Sequence, residues 1–408
     1  MRILGIVLAA ALALPAPSSA LRASAGKQEK KESELRKKLN AAHTGAADWL
    51  SSQQGADGAW KQGPPGREQP SVAFTALAVT AFARAPKELR AKVQPAIDRG
   101  ASFIVSKRNE DGSFGEGPRG AFLKTYTTAL AVMALSVTDR EKFADPIRGG
   151  QAYLKQNQLK EGVDRGGSGY GDEEPTKEGT KKTIANLSTT GFTAEAMESS
   201  GLPKDDEFWK LVIEFVRRCQ NNSETNTDRE FVEKLKAAGL SVGDDGGLYY
   251  APSPDRKIHK AGTVKVIDKE VVQSYGSMTY HGIKTYLFAG LAKDSPEVKA
   301  AIDWVRKNYS VEAHPGFPFD ASKRNHLRGL FYYYYVMARA MDAIGERPFR
   351  TFDGKEHDWP VELAGQLLKT MKDGKMWVNE NPAWWEDNPL LVTCYVLNTL
   401  DLLMKHVE

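Results

Sequence analysis

Residues 46–83 read AADWLSSQQGADGAWKQGPPGREQPSVAFTALAVTAFA and contain two different helix patterns separated by a turn. The first pattern has a single apolar stripe, so its other face is free to meet water. The second pattern, from Ser71 to Ala83, is apolar on nearly every face and therefore has to be enclosed by other parts of the protein. In the turn between them, Gly58 takes a positive φ at little cost and Asp57 is able to bond its own backbone.

The same order of one-faced helix, glycine–aromatic turn and fully apolar helix recurs along the chain. The turn is recognisable at 57–60, 111–115, 167–171, 245–249, 316–319 and 373–377. The units built around these turns are placed at about 33–85, 91–138, 146–200, 205–292, 295–345 and 358–404. We expect the aromatic residue after each turn to wedge between neighbouring outer helices.

Six solvated helices that alternate with six enclosed ones predict an all-α fold, a closed (α/α)6 toroid with an outer and an inner ring. An open helical-repeat solenoid is the alternative. Solenoids usually end in polar capping repeats, whereas the last helix here is strongly apolar, which favours closure.

The first 25 residues have the layout of a cleavable secretory signal. Arg2 precedes the apolar run Ile3 to Leu14, and small residues follow, with cleavage expected after residue 20 or 25. That run is too short to cross a bilayer, and no later stretch is long enough. We therefore expect an exported protein, periplasmic or extracellular, without a transmembrane segment, in which residues 26–404 form one domain.

Composition and charge exclude several classes of protein. With 41% hydrophobic and 26% charged residues, the chain has the composition of an ordinary globular protein. Its 56 basic and 52 acidic residues nearly balance, which argues against nucleic-acid binding. Cys219 and Cys394 lie within apolar helical patterns, so they are expected to be buried free thiols and not a disulfide framework or a zinc site.

An insertion in the fourth unit, residues 221–276, interrupts the regular order. Thr263 to Val266 and Val271–Val272 alternate as in a short β-hairpin, with a turn near Asp268–Lys269. Because the hairpin ends immediately before an enclosed helix, we expect it at the rim of the toroid. At the rim, the hairpin is either a lid or an edge on which a partner docks, or it is a surface feature without a function of its own.

The unit of this chain resembles the repeat of squalene–hopene cyclases and protein prenyltransferase β-subunits, in which glutamine, glycine and an aromatic residue recur. The first unit contains four parts of that signature: Trp49-Leu50, Gln53 or Gln54, Gly58 and Trp60. The other units match it in part, and the resemblance covers about residues 33–404. It implies the α/α toroid and a central funnel lined by the starts of the inner helices.

Comparison with the motifs of that superfamily argues against two activities, squalene cyclisation and zinc-dependent prenyl transfer. At the place of the cyclase Asp-x-Asp-Asp-Thr-Ala acid motif, the chain has Asn186-Leu187-Ser188-Thr189-Thr190-Gly191, and amides or hydroxyls cannot protonate an alkene. Capping of a helix by Ser188 or Thr189 is the structural alternative for this stretch. At the zinc positions of the prenyltransferases stand Val392 and, nearby, Ser274 and Gly276, so no metal and no cofactor are expected.

Aromatic and polar residues near the inner-helix starts are the candidates for contacting a ligand in the funnel. They are Tyr126, Asn186, Ser188, Thr189, Tyr275, Tyr280, His281, Trp384, Trp385 and Asp387. Alternatively, His281 is a hydrogen-bonded core residue and Trp384–Trp385 packs at a helix start. For the run Tyr332 to Tyr335, core packing is favoured over ligand stacking. No catalytic residue is assigned, and whether the chain is an enzyme is left open.

Three functions are compatible with the sequence. The favoured one is a catalytically atypical cyclase-like toroid that binds an apolar or amphiphilic, isoprenoid-like or other lipid-like ligand, or a partner, in its funnel. The second is a secreted carbohydrate-active enzyme that acts on a glycan, which requires carboxylates facing each other, whereas Glu386 and Asp387 have no evident partner. The third is a non-catalytic scaffold of the cell envelope.

Overall fold

The computed structural model describes residues 19–63, 66–115, 123–171 and 184–407, with side-chain surroundings described from residue 34 onward. Most of the predicted signal peptide, residues 1–18, lies outside these ranges. None of the helices within them is both long and apolar enough to span a membrane.

Six described helices bury one stripe each and form an outer ring. They are α1 (Ser19–Ser52), α3 (Lys87–Ser106), α5 (Ala144–Gln156), α7 (Glu207–Arg218), α10 (Pro296–Asn308) and α12 (Trp359–Thr370). Six others are buried on nearly every face and form an inner ring. They are α2 (Val72–Arg84), α4 (Lys124–Asp139), α6 (Leu187–Ser199), α9 (Gly276–Phe288), α11 (Leu330–Ile344) and α13 (Pro389–His406).

The inner ring is closed. Each inner helix packs against the next one along the chain, and α13 packs against α2. The first outer helix joins the two ends of the chain, because it contacts α13 and the Arg36 guanidinium donates to the carbonyls of Met404 and Val407. The predicted (α/α)6 toroid is therefore confirmed, and the open solenoid is excluded.

Recurring hydrogen bonds hold the turns to the inner helices. In five turns a backbone N–H donates to a threonine hydroxyl near the start of the next inner helix. The pairs are Trp60–Thr75 at 2.9 Å, Phe114–Thr128 at 3.0 Å, Ser168–Thr190 at 2.9 Å, Leu248–Thr279 at 3.0 Å and Trp377–Thr393 at 3.2 Å. The same type of contact therefore fixes the position of each of these turns over the helix that follows.

The glutamine of the signature joins neighbouring outer helices. The Gln54 amide donates to the carbonyl of Gly58 in its own turn and to that of Ala96 in α3, both at 2.9 Å. Gln158 and Gln220 make the equivalent pairs of bonds in their units. Trp60 lies between two outer helices, since its indole N–H donates to the Leu50 carbonyl at 2.7 Å and its ring lies against Gly100 of α3.

The turn glycine is required by this close packing. Gly58 has a φ of 85°, and a Cβ atom there would lie 2.5 Å from the Arg99 carbonyl oxygen of α3. A side chain at this position would therefore clash with the backbone of the next outer helix.

The insertion contains the predicted hairpin, in which β3 (Thr263–Val266) pairs antiparallel with β4 (Lys269–Val272). Its turn is at Ile267–Asp268, one residue earlier than expected, because Lys269 already pairs with Val266. With helix α8 (Arg229–Ala237) the insertion builds a small core of its own. That core consists of Phe231, Leu235, Leu240, Tyr249 and Val272.

Two other short hairpins are β1 (Trp60–Gln62) with β2 (Gln69–Ser71), and β5 (Phe349–Arg350) with β6 (Glu356–His357). Both cysteines, Cys219 and Cys394, are buried and free, as their helical surroundings predict.

Candidate functional site

A cavity of about 390 Å³ lies at the amino-terminal end of the inner ring. Its described walls come from the first turns of the inner helices and from the loops that precede them. They consist of Gln62, Ala73, Phe74, Leu77, Leu123, Tyr126, Tyr170, Ser188, Tyr250, Lys260, Tyr275, Met278, Tyr332, Trp384, Trp385, Leu391 and Tyr395. Most of this surface is aromatic or aliphatic, and Lys260 is the one charged side chain among these residues.

Aromatic rings form a large part of the cavity wall. The hydroxyl groups of Tyr170 and Tyr250 lie 2.7 Å apart. The ring of Tyr332 lies 5.9 Å from that of Tyr395 and 6.3 Å from that of Trp384. Rings in these arrangements pack well against an apolar ligand.

Phe192 separates the cavity from a cluster of charges below it. Its ring lies 5.0 Å from that of Tyr126 on the cavity side, and the Lys284 ammonium lies 5.6 Å from it on the other. Lys284 pairs with buried Glu195 at 2.6 Å, and Arg339 approaches the same carboxylate at 3.0 Å. Burial alone would raise the pKa of Glu195, but the neighbouring positive charges outweigh burial and lower it. Glu195 is therefore ionised and engaged, away from the cavity.

A line of hydrogen bonds leads from the cavity wall into the core. The Ser188 hydroxyl lies 3.2 Å from that of Tyr332, which lies 2.9 Å from Nδ1 of His281. The imidazole packs against Gly191, where a Cβ atom would lie 1.8 Å from it. Burial, followed by the charge of Lys284, lowers the pKa of His281 well below its usual value. The imidazole is therefore neutral at neutral pH and has no acidic proton to deliver along this line.

The two tryptophans at the rim have an unusual backbone conformation. Trp384 and Trp385 have φ values of 60° and 65°, a region that costs a residue with a side chain about 1–3 kcal/mol. Two contacts hold them in place. The Trp384 ring lies against Gly329, where a Cβ atom would lie 2.0 Å from it, and the next residue, Glu386, accepts hydrogen bonds from the Phe331 and Tyr332 N–H groups of α11.

Five of the ten sequence-predicted residues lie on the cavity wall: Tyr126, Ser188, Tyr275, Trp384 and Trp385. The other five do not line it. Asn186 caps α6 by accepting a bond from the Thr189 N–H at 2.9 Å, so the cap is Asn186 and neither Ser188 nor Thr189. Successive helical residues point about 100° apart, so Thr189 turns away from the wall that Ser188 lines.

The remaining three predicted residues lie behind the wall or outside it. Tyr280 packs in the core against Tyr333 at 5.6 Å between ring centres. His281 lies behind Tyr332 and is fully buried, as its structural alternative proposed. Asp387 is exposed and does not reach the cavity.

Sequence reasoning missed several wall residues. For the run Tyr332 to Tyr335 the sequence favours core packing, and all four are buried in the core, but Tyr332 also lines the cavity. Tyr170 and Tyr250 belong to or directly follow glycine-containing turns. Because these turns precede the inner helices, their position in the sequence could have indicated that both residues lie on the cavity wall. Lys260 belongs to the insertion, and no periodic pattern marks it.

Among the described residues, no group of three or more histidine, cysteine, aspartate or glutamate side chains is arranged to hold a metal ion.

No protein-family model matches the chain, and no curated protein matches its sequence. Solved structures do match its fold. A variant of the type II terpene cyclase MstE from Scytonema, in complex with its product merosterolic acid A, is 13% identical with a TM-score of 0.54, over 91% of this chain and 99% of that one. This chain has the terpenoid cyclase-like toroid fold.

Two further structures agree with this conclusion. A second MstE variant, in complex with its substrate geranylgeranyl dihydroxybenzoate, is 13% identical with a TM-score of 0.53, over 91% of this chain and 99% of that one. A protein from Actinoplanes is 13% identical with a TM-score of 0.52, over 90% of this chain and 99% of that one. The resemblance seen in the sequence is thus confirmed for the fold.

Proposed function

We propose that the chain binds an amphiphilic ligand with an isoprenoid-like apolar body in the cavity, without starting a cyclisation by protonating an alkene. The observation that carries this proposal is the cavity wall, whose described residues are mostly aromatic and aliphatic and include no carboxyl group. Its volume of about 390 Å³ lies within the range of small-molecule sites. The complexes of MstE with an isoprenoid substrate and product support an apolar ligand in this fold.

The absence of a carboxylic acid from the described wall supports the non-cyclising part of the proposal. Alkene protonation needs a group that releases its proton readily. By the resemblance in sequence, Ser188 corresponds to an acid of the cyclase motif, and burial raises the pKa of the neighbouring Tyr332 hydroxyl well above its usual value. The buried carboxyl groups closest to these residues are both engaged, Glu195 with Lys284 and Glu386 with the start of α11.

The described carboxyl groups do not have the arrangement that a glycosidase needs. Such an enzyme needs two carboxyl groups roughly 5–10 Å apart across its cleft. Glu386 is buried behind the wall and Asp387 lies outside it.

We further propose that the chain is exported, on the basis of the signal-like layout of its first 25 residues.

Binding of prenyl alcohols tests the proposal. Geranylgeraniol should bind with a measurable heat or a quench of tryptophan fluorescence. Trp385→Ala should weaken that binding by about 1–3 kcal/mol, since Trp385 lines the cavity and is 55% exposed without a ligand. Phe352→Ala is the matched control, because Phe352 is 65% exposed and does not line the cavity. If no prenyl alcohol binds, or if the two variants behave alike, the cavity is not the binding site.

Product analysis tests the non-cyclising part separately. Incubation with squalene should yield no polycyclic product. A polycyclic product that disappears in Ser188→Ala would contradict the proposal.

A further inference from the structure

Two positively charged side chains without a counter-ion lie on the cavity wall or beside it, Lys260 on the wall and Arg328 next to a wall residue. Lys260 is part of the wall, and its ammonium lies 4.6 Å from the ring centre of Tyr250. The Arg328 guanidinium lies 5.9 Å from the ring of Trp384, another wall residue, and 5.8 Å from that of Phe317. Within the described part of the chain neither side chain forms an ion pair, and the buried Nε of Arg328 has no hydrogen-bond partner.

The two charges are close enough to influence each other. Burial, followed by the positive charge of Arg328, lowers the pKa of the Lys260 ammonium. Like charges repel more strongly in a partly dry site than in water, so leaving them without an anion costs free energy. The cations of the buried cluster below Phe192 differ in this respect, because Lys284 and Arg339 each form an ion pair with Glu195.

His314 fixes the position of Arg328. Nε2 of His314 accepts a hydrogen bond from the Ser277 N–H at 2.8 Å, at the start of α9. Burial lowers the pKa of His314 to about 3, so its ring is neutral and carries its single proton on Nδ1. That nitrogen therefore donates to the Arg328 carbonyl, 2.6 Å away. The backbone of Arg328 is therefore held to the inner ring before any ligand arrives, so that only its side chain has to be ordered on binding.

We propose that Lys260 and Arg328 bind an anionic oxygen head group, a phosphate or a carboxylate, of the ligand whose apolar body fills the cavity. This inference rests on the proposed function and adds the charge and the orientation of the ligand. An aromatic wall by itself also suits a quaternary ammonium group. One uncompensated cation on the wall and a second beside it disfavour such a ligand and favour charge-assisted hydrogen bonds to oxygen.

Three probes with the same apolar chain test the head group: geranylgeranyl phosphate, geranylgeranoic acid and geranylgeraniol. At low salt, at least one anionic probe should bind the wild-type protein roughly tenfold or more tighter than the alcohol. That difference should shrink as salt is added, because ions screen the attraction. The order of the phosphate and the carboxylate identifies which head group the site prefers.

Variants assign the effect to the two side chains. Lys260→Gln and Arg328→Gln should each reduce or abolish the preference for the anions while leaving affinity for geranylgeraniol within about twofold. Lys260→Arg should retain it. Lys265→Gln is the matched control, since Lys265 is exposed on the hairpin of the same insertion and does not line the cavity.

The outcomes separate the two proposals. If the alcohol binds and the anions bind no tighter, or if Lys260→Gln behaves like Lys265→Gln, the head-group inference is wrong and the proposed function stands. If none of the three probes binds, both are wrong. Lys260 is partly exposed, so its replacement should leave the fold intact even if replacing Arg328 does not.

Discussion

Glu386 links the tryptophan rim to the inner ring through one buried side chain. Its carboxyl group accepts bonds from the N–H groups of Tyr332 at 2.7 Å and Phe331 at 3.2 Å, and from the Asn379 amide at 2.5 Å. Burial raises its pKa from 4.5 to about 7, because the hydrogen bonds only partly offset the loss of water. The group therefore sits close to its ionisation point at neutral pH.

The raised pKa predicts a pH dependence of stability. Between pH 4.5 and about 7 the folded protein keeps this proton while the unfolded chain releases it, so stability falls as pH rises through this range. The loss should reach roughly 3 kcal/mol near pH 7 and should be absent in Glu386→Gln. Urea unfolding of both proteins at several pH values measures it.

Buried histidines change the stability in the opposite direction as pH rises. Comparing the wild-type protein with Glu386→Gln removes their effect. Burial lowers the pKa of His43 to about 4 and of His314 to about 3, so both destabilise the fold as pH falls below about 6.5. They are present in both proteins. A difference in stability between wild type and Glu386→Gln that stays constant with pH would contradict the assignment to Glu386.

Threonines near the inner-helix starts hold the turns in place, and α9 offers a matched pair to measure this. Thr279 and Thr285 are both fully buried and both donate to the carbonyl four residues earlier. Only Thr279 also accepts a bond, from the Leu248 N–H of the turn. Thr279→Val should cost about 1–3 kcal/mol more than Thr285→Val in denaturant unfolding, since it leaves a buried N–H unpaired. Equal losses would show that the turn does not depend on this bond.

The turn glycines permit a similar comparison. Gly58 and Gly290 have φ values of 85° and 91°, so alanine is strained at both. At Gly58 the new Cβ atom would lie 2.5 Å from a backbone atom, the Arg99 carbonyl oxygen. At Gly290 no atom lies within 4 Å of the new Cβ atom. Gly58→Ala should therefore lower the free energy of unfolding by about 1–3 kcal/mol more than Gly290→Ala. Similar values would mean that the outer helices are free to move apart at the turn.

These contacts explain what the sequence could predict and what it could not. The alternation of one-faced and fully apolar helices is local and periodic, so the sequence alone predicts both rings. The periodicity also located Tyr126, Ser188 and Tyr275 at helix starts, but it did not give their neighbours on the wall. Lys260 reaches the cavity through the packing of an insertion that has its own small core, and such a contact leaves no pattern in the sequence.

Closure of the ring makes the two ends of the chain neighbours. The Gly374 carbonyl oxygen of the last turn lies against Gly45 of α1, where a Cβ atom would be 2.5 Å away. The first turn is joined to the same helix, since the Trp60 indole N–H donates to the Leu50 carbonyl at 2.7 Å. Stability should therefore be shared around the ring and not added unit by unit, as it is in an open repeat array.

Fluorine NMR of protein labelled with 5-fluorotryptophan tests this sharing. Trp60 and Trp377 are fully buried and make equivalent bonds in the first and last turns, to Leu50 and to Leu367. In a closed ring of one domain, their folded signals should disappear at the same urea concentration. Arg36→Gln removes the bonds to the end of α13 and should lower both midpoints together.

The control for the ring is Arg350→Gln, which breaks an exposed pair with Glu356 within one hairpin and should move neither midpoint measurably. Separate midpoints for Trp60 and Trp377 in the wild-type protein would mean that the ends unfold independently. A shift of Trp377 alone in Arg36→Gln would lead to the same conclusion. Coincident midpoints that move together are expected if α1 and the packing of α13 against α2 couple the first and last turns.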